Sequence, residues 1–63
     1  MAATLRENAD GSIKISMRAI PEYDAGAICA LFGGGGHRGA AGATVNMSLS
    51  DAAAAVKAAM PEL

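Results

Sequence analysis

One cysteine, one histidine, two aromatic residues and no tryptophan are all that this 63-residue chain holds of the side chains that most often do chemistry or anchor a large core. With Cys29 alone, no disulfide can close within the chain and no multi-thiolate metal site can be built. In its apolar setting Cys29 reads as a small buried hydrophobe, and the expected compartment is cytoplasmic. No apolar run approaches the ~18–20 residues of a spanning helix, and no basic segment followed by an apolar one opens the chain. No membrane partner is therefore expected. Charge is also sparse, 17% of residues with a net charge of −1, which argues against a broad electrostatic nucleic-acid binder, although the distribution of charge matters more than its sum.

Acids are missing altogether between Asp24 and Asp51, where the cationic or potentially cationic side chains are His37 and Arg38. That segment is expected to lie in a positive field. Sixteen alanines, with Tyr23 and Phe32 as the only aromatics, leave a thin core. Its expected members are Leu5, Ile13, Ile15, Met17, Ile20, Ile28, Leu31, Phe32, Val45, Met47, Leu49, Val56 and Met60. A chain this short buries only about 60% of its extended surface. Residues 1–63 are accordingly expected to be one domain, cut from a longer chain or stabilised as a homodimer.

What is present has a clear order. "TLRE", "NADG" and "SIKISMRAI" read as a hairpin, with Asp10-Gly11 supplying the turn. Ile13, Ile15, Met17 and Ala19 alternate with Ser12, Lys14, Ser16 and Arg18, so one face is buried and the other meets solvent or ligand. Asp24 is an N-cap for a helix over Ala25 to Phe32, with an apolar face of Ala27, Ile28, Leu31 and Phe32. "ATVNM", Ala43 to Met47, reads as a third strand. Ser48 with Asp51 opens a last helix, in which Leu49, Ala53, Val56 and Met60 recur as far as Pro61. The expected fold is α/β in the order ββαβα, a three-stranded mixed sheet with two helices packed on it. Its strand–helix–strand passage is expected to be a crossover between parallel strands.

Between the first helix and the third strand lies "FGGGGHRGAAGATV". A glycine run permits positive φ and removes every Cβ, so a ligand can approach the main chain closely. Successive amides in such a loop suit anionic oxygens, phosphate being the common guest. His37 can add a hydrogen bond and Arg38 can neutralise a second oxygen. Three familiar phosphate devices do not match. No lysine follows the glycines as in a P-loop, the run follows a helix rather than a strand as in the dinucleotide fingerprint, and a kinase loop has no room for its apparatus.

The string "FGGGGHRGAAG" closely resembles the signature near the C-terminus of the DHH phosphoesterase family, in the DHH-associated domain that follows the catalytic one. "IKISMRAI", "DAGAICALF" and "ATVNM" are similar to the strand, helix and strand around that signature. The likeness extends over nearly the whole chain. It is nearer to nanoRNase-like and cyclic-dinucleotide phosphodiesterase members than to the related domain of alanyl-tRNA synthetases. It implies that Gly33, Gly34, Gly35 and Gly36 line a nucleotide or phosphate site, and that His37 points at the phosphate. It further implies that Arg38 assists, that Gly39, Ala40, Ala41 and Gly42 keep the opposite wall small, and that Arg18 reaches in from the sheet edge.

The implied partners are a phosphate-bearing ligand, either a nucleotide or a short single-stranded oligonucleotide, and a catalytic DHH domain holding manganese. This sequence has no Asp-His-His motif and a single histidine, so it is expected to supply no metal ligands and no catalytic residue itself. Two other readings come from the residues: a free-standing nucleic-acid-binding module, weakened by the lack of aromatic stacking platforms, and a dimerisation or lid element whose glycine loop is structural.

Overall fold

The alternation of Ile13, Ile15 and Met17 sets the sheet. In the computed structural model, which describes residues 1–60, β1 (Ala2–Glu7) and β2 (Ile13–Arg18) pair antiparallel, from Ala2↔Arg18 to Glu7↔Ile13. Their turn is closed by the Asn8 amide donating to the Ser12 carbonyl at 2.8 Å, with Gly11 at φ +88°. Asp10 Oδ1 accepts from the Ser12 hydroxyl at 2.6 Å and the Ser12 amide at 2.9 Å. Those two bonds, the hydroxyl first, hold the Asp10 carboxyl below its ordinary value of 3.8.

The first helix, α1 (Ala25–Ala30), starts where expected, with the Asp24 carboxylate accepting from the Ala27 amide at 3.0 Å. Its buried face is turned about one residue from the expected one. Ala25 and Cys29 are buried and Ile28 and Phe32 pack beside them, whereas Ala27 is exposed and Leu31 is 74% exposed. Two backbone bonds pin the helix through these small residues: the Ala25 amide donates to the Arg38 carbonyl at 2.8 Å, and the Cys29 carbonyl accepts from Gly34 at 3.0 Å. Small side chains there let the helix lie close to the sheet. Regular helix ends at Ala30 rather than Phe32, and Leu31 and Phe32 close on tighter bonds to Ile28 and Cys29.

The expected three-stranded mixed sheet is corrected to four strands, each antiparallel to its neighbours, in the order β1-β2-β4-β3. The added strand, β3 (Gly35–Gly36), lies inside the glycine run, and β4 spans Ala40–Val45 instead of Ala43 to Met47. The expected crossover to a parallel third strand is thereby also corrected: β4, the strand that holds Ala43 to Val45, runs antiparallel to β2, and it is the unexpected β3 that runs in the same direction as β2. β2 and β3 are not adjacent, however. A hairpin at Arg38-Gly39 turns the chain straight back, and β4 takes the place between them, paired with β2 from Arg18↔Ala40 to Ile13↔Val45.

Ser48 caps α2 (Leu49–Ala59), its hydroxyl accepting from the Asp51 amide at 3.1 Å. The helix buries Ala52 and Val56, while Leu49 stays 46% exposed. The helix end expected at Pro61 lies outside the described residues; the C-cap is Met60. Both helices pack on one face of the sheet, in a core of Ile13, Ile15, Met17, Ala41, Ala43, Val45 and the buried helix residues. Ile20, expected in that core, is 55% exposed, beyond the end of β2. Cys29 is fully buried, and burial pushes its thiol above the ordinary 9.0. No helix among the described residues is long and apolar enough to cross a membrane.

Candidate functional site

The four consecutive glycines do four different things. Gly33, at φ +80°, ends α1. Its amide donates to the Ala30 carbonyl at 3.1 Å and the next amide, Gly34, to Cys29, the paired bonds of a Schellman closure. Gly34 passes against β4 so tightly that a Cβ there would overlap the Gly42 carbonyl and Ala43. Gly36 has φ +146°, and a Cβ on it would lie 2.7 Å from Ala40 O and from Ala41 Cα. Gly35 alone has neither demand: its φ is not positive, and a Cβ would find nothing within 4 Å. The fold requires three of these glycines and leaves the fourth with open space in front of it.

After Gly36 the chain reverses in a two-residue hairpin, in which His37 and Ala40 exchange backbone bonds of 2.8 and 3.3 Å. His37 is exposed at its start. Arg38, at its tip, is drawn aside: Nη1 meets Asp24 Oδ2 at 3.3 Å and Nη2 donates to the Pro21 carbonyl at 3.1 Å. The acid-free run of sequence is thus not acid-free in space. Asp24 both caps α1 and offsets the charge of Arg38, an exposed pair of small energetic weight.

Register determines which residues share a face, because side chains alternate along each strand. Opposite the helix-bearing face, three rungs cross the sheet. One runs Ala2, Arg18, Ala40 and His37, the next Thr4, Ser16, Gly42 and Gly35, and the third Arg6, Lys14 and Thr44. Among the described residues no helix covers this face and no acidic residue occupies a strand position on it. Arg18 and His37 therefore flank a floor of Ala40, Gly42 and Gly35, and two strand spacings put them roughly 10 Å apart. Nothing larger than a methyl group stands between them. Arg18 is an exposed residue, with Nη1 donating to its neighbour's carbonyl, Met17 O, at 2.9 Å.

Of the eleven residues singled out in the sequence, Arg18, Gly35, His37, Ala40 and Gly42 converge on this face. Gly36 and Ala41 pair with each other on the helix side, where Ala41 is buried in the core. Gly33 and Gly34 serve the turn, and Arg38 and Gly39 form the hairpin tip. Sequence reasoning passed over Arg6, Lys14 and Thr44 on the same face. The alternation of Ser12, Lys14, Ser16 and Arg18 carried the signal for Lys14, but the rung partners on β1 and β4 depend on register. A groove of about 600 Å³ lies elsewhere, between β1 and α2, and is lined mainly by Met1, Leu5, Val56 and Met60.

A family model described as the DHHA1 domain matches residues 1–62. No curated protein matches the chain.

Proposed function

Since the chain belongs to the DHHA1 domain family, the companion domain of the DHH phosphoesterases, we propose that its helix-free sheet face holds the phosphate of a nucleotide or short single-stranded oligonucleotide for a DHH domain to hydrolyse. The observation that carries this reading is the bare floor of Gly35, Gly42 and Ala40 flanked by Arg18 and His37. A glycine that the fold does not need is explained by a ligand that does need the space. A phosphate laid on that floor meets the Arg18 guanidinium on one side, a charge-assisted bond, and an imidazole N–H of His37 on the other. The remaining glycines and the hairpin residues Arg38 and Gly39 hold this geometry, and Ala41 anchors it from below.

The role is to bind and orient. Manganese, implied for the partner domain, does not fit the donors of this chain: the one histidine is exposed on the hairpin, and among the described residues no three His, Cys, Asp or Glu side chains gather. The proposal therefore assigns no hydrolytic step to these residues. Within the family, oligonucleotide and cyclic-dinucleotide substrates are the ones the resemblance favours, and a cytoplasmic setting goes with them.

An amide-resolved titration with AMP, then with a short oligonucleotide, tests the reading. Saturable shifts at Gly35, His37, Gly42 and Arg18, lost in His37→Ala, are expected. Unchanged spectra at millimolar ligand, or binding that survives His37→Ala undiminished, would instead make the glycine hairpin a structural lid or dimerisation element.

A further inference from the structure

We propose that the open sheet face carries a second anion site at Arg6 and Lys14, so that the chain grips an oligonucleotide at two separated phosphates and prefers longer strands to dinucleotides. The inference rests on the phosphate reading above. Arg6 and Lys14 are direct cross-strand partners, and Thr44 completes their rung. Like charges placed opposite each other destabilise a sheet, yet among the described residues neither cation makes an ion pair. The nearest acids in sequence are turned away or engaged: Glu7 is opposite Ile13, at a position of the helix-bearing side, and Asp10 is bound to Ser12. An unneutralised pair of cations is therefore left on the face that already holds Arg18 and His37.

The spacing decides the ligand. Lys14 and Arg18 are four residues apart on one extended strand, about 14 Å, farther than one phosphodiester link reaches. Ser16 and Thr4 lie between them as uncharged hydroxyl donors, and a depression of about 400 Å³ lined by Thr4, Leu5, Arg6, Lys14 and Ser16 opens beside the pair. A mononucleotide or dinucleotide held at His37 leaves this end empty. A longer single strand running along β2 fills both ends.

The test compares a 5′-phosphorylated dinucleotide with a 5′-phosphorylated pentanucleotide, titrated into the full chain and into R6Q/K14Q by fluorescence anisotropy over a range of salt. Both positions are exposed, and removal of opposed like charges leaves the fold intact, checked by matching melting curves. The expected result is a pentanucleotide affinity roughly tenfold weaker in R6Q/K14Q, with a log–log salt slope smaller by about 0.7, the share of one neutralised phosphate on a single strand. Dinucleotide affinity stays unchanged. If R6Q/K14Q binds the pentanucleotide as wild type does, or loses both ligands equally, the second site is overturned while the His37 site stands. If the wild-type chain binds neither ligand, both readings fall.

Discussion

Gly34 and Gly35 are neighbours in sequence and opposites in what they tolerate. A methyl group on Gly34 runs into the backbone of β4, so Gly34→Ala is expected to cost about 3 kcal/mol or more, enough to unfold much of a chain this small. On Gly35 a methyl meets open space at an ordinary φ, and Gly35→Ala is expected to keep or raise stability by about 0.4–1 kcal/mol while weakening phosphate binding. Melting curves and the AMP titration separate the two; a Gly35→Ala chain that binds as well as wild type would remove the floor from the site. The Asp10 carboxyl offers a pH test. Its value is depressed in the folded chain by the Ser12 hydroxyl and amide, so its stabilisation is present above 3.8 and is lost as pH falls through the lowered native value. The melting-temperature gap between wild type and Asp10→Ala should therefore close in acid. Cys29, fully buried with its thiol raised, should react with a thiol reagent only as fast as the chain opens. Labelling at the rate of a free thiol would contradict that burial.

At the scale of elements, α1 and the glycine hairpin are coupled through Asp24, which caps the helix and pairs with Arg38. The two roles can be pulled apart. Asp24→Ala loses the cap and should cost about 1 kcal/mol, whereas Asp24→Asn keeps a good cap and removes the charge. Asp24→Asn is therefore expected to melt like wild type and to bind phosphate about twofold more tightly, with the gain fading as salt rises. An unchanged affinity at low salt would show that the Arg38 end of the hairpin does not face the ligand. The elements also explain what could be read early. β2 was legible because burial on one face imposes period two, and α2 because Ser48 and the recurrence of Leu49, Ala53, Val56 and Met60 impose period three to four, although the alanine that the helix buries is Ala52 and Ala53 is exposed. β3 was not, since two glycines carry no side-chain period and little strand propensity.

Over the whole molecule, a thin core on one side of the sheet faces an uncovered cationic surface on the other. Such a chain has little stability to spare, and ligand binding should show as a large thermal shift. At a hundredfold excess over Kd, an oligonucleotide is expected to add about 2.7 kcal/mol, which in a chain this small raises Tm by roughly 10–20 °C. Differential scanning calorimetry with and without ligand checks this, and Arg18→Ala or His37→Ala should abolish most of the rise. A shift that persists in both variants would place the ligand on another surface.

By itself the sequence determined the local pieces: the hairpin turn, both helix caps, the buried side of β2 and the glycine–histidine string that marks the family. Each of these is settled by residues within a few positions of one another, through turn chemistry, capping and alternation. Tertiary structure alone decided that β4 pairs antiparallel between β2 and β3, that Asp24 reaches Arg38, that Ile20 and Leu31 stay outside the core, and that Arg6, Lys14, Arg18 and His37 share one face. The reason is register. Which residues lie side by side across a sheet depends on how strands distant in sequence align, and a shift of one residue would send every one of these side chains to the opposite face.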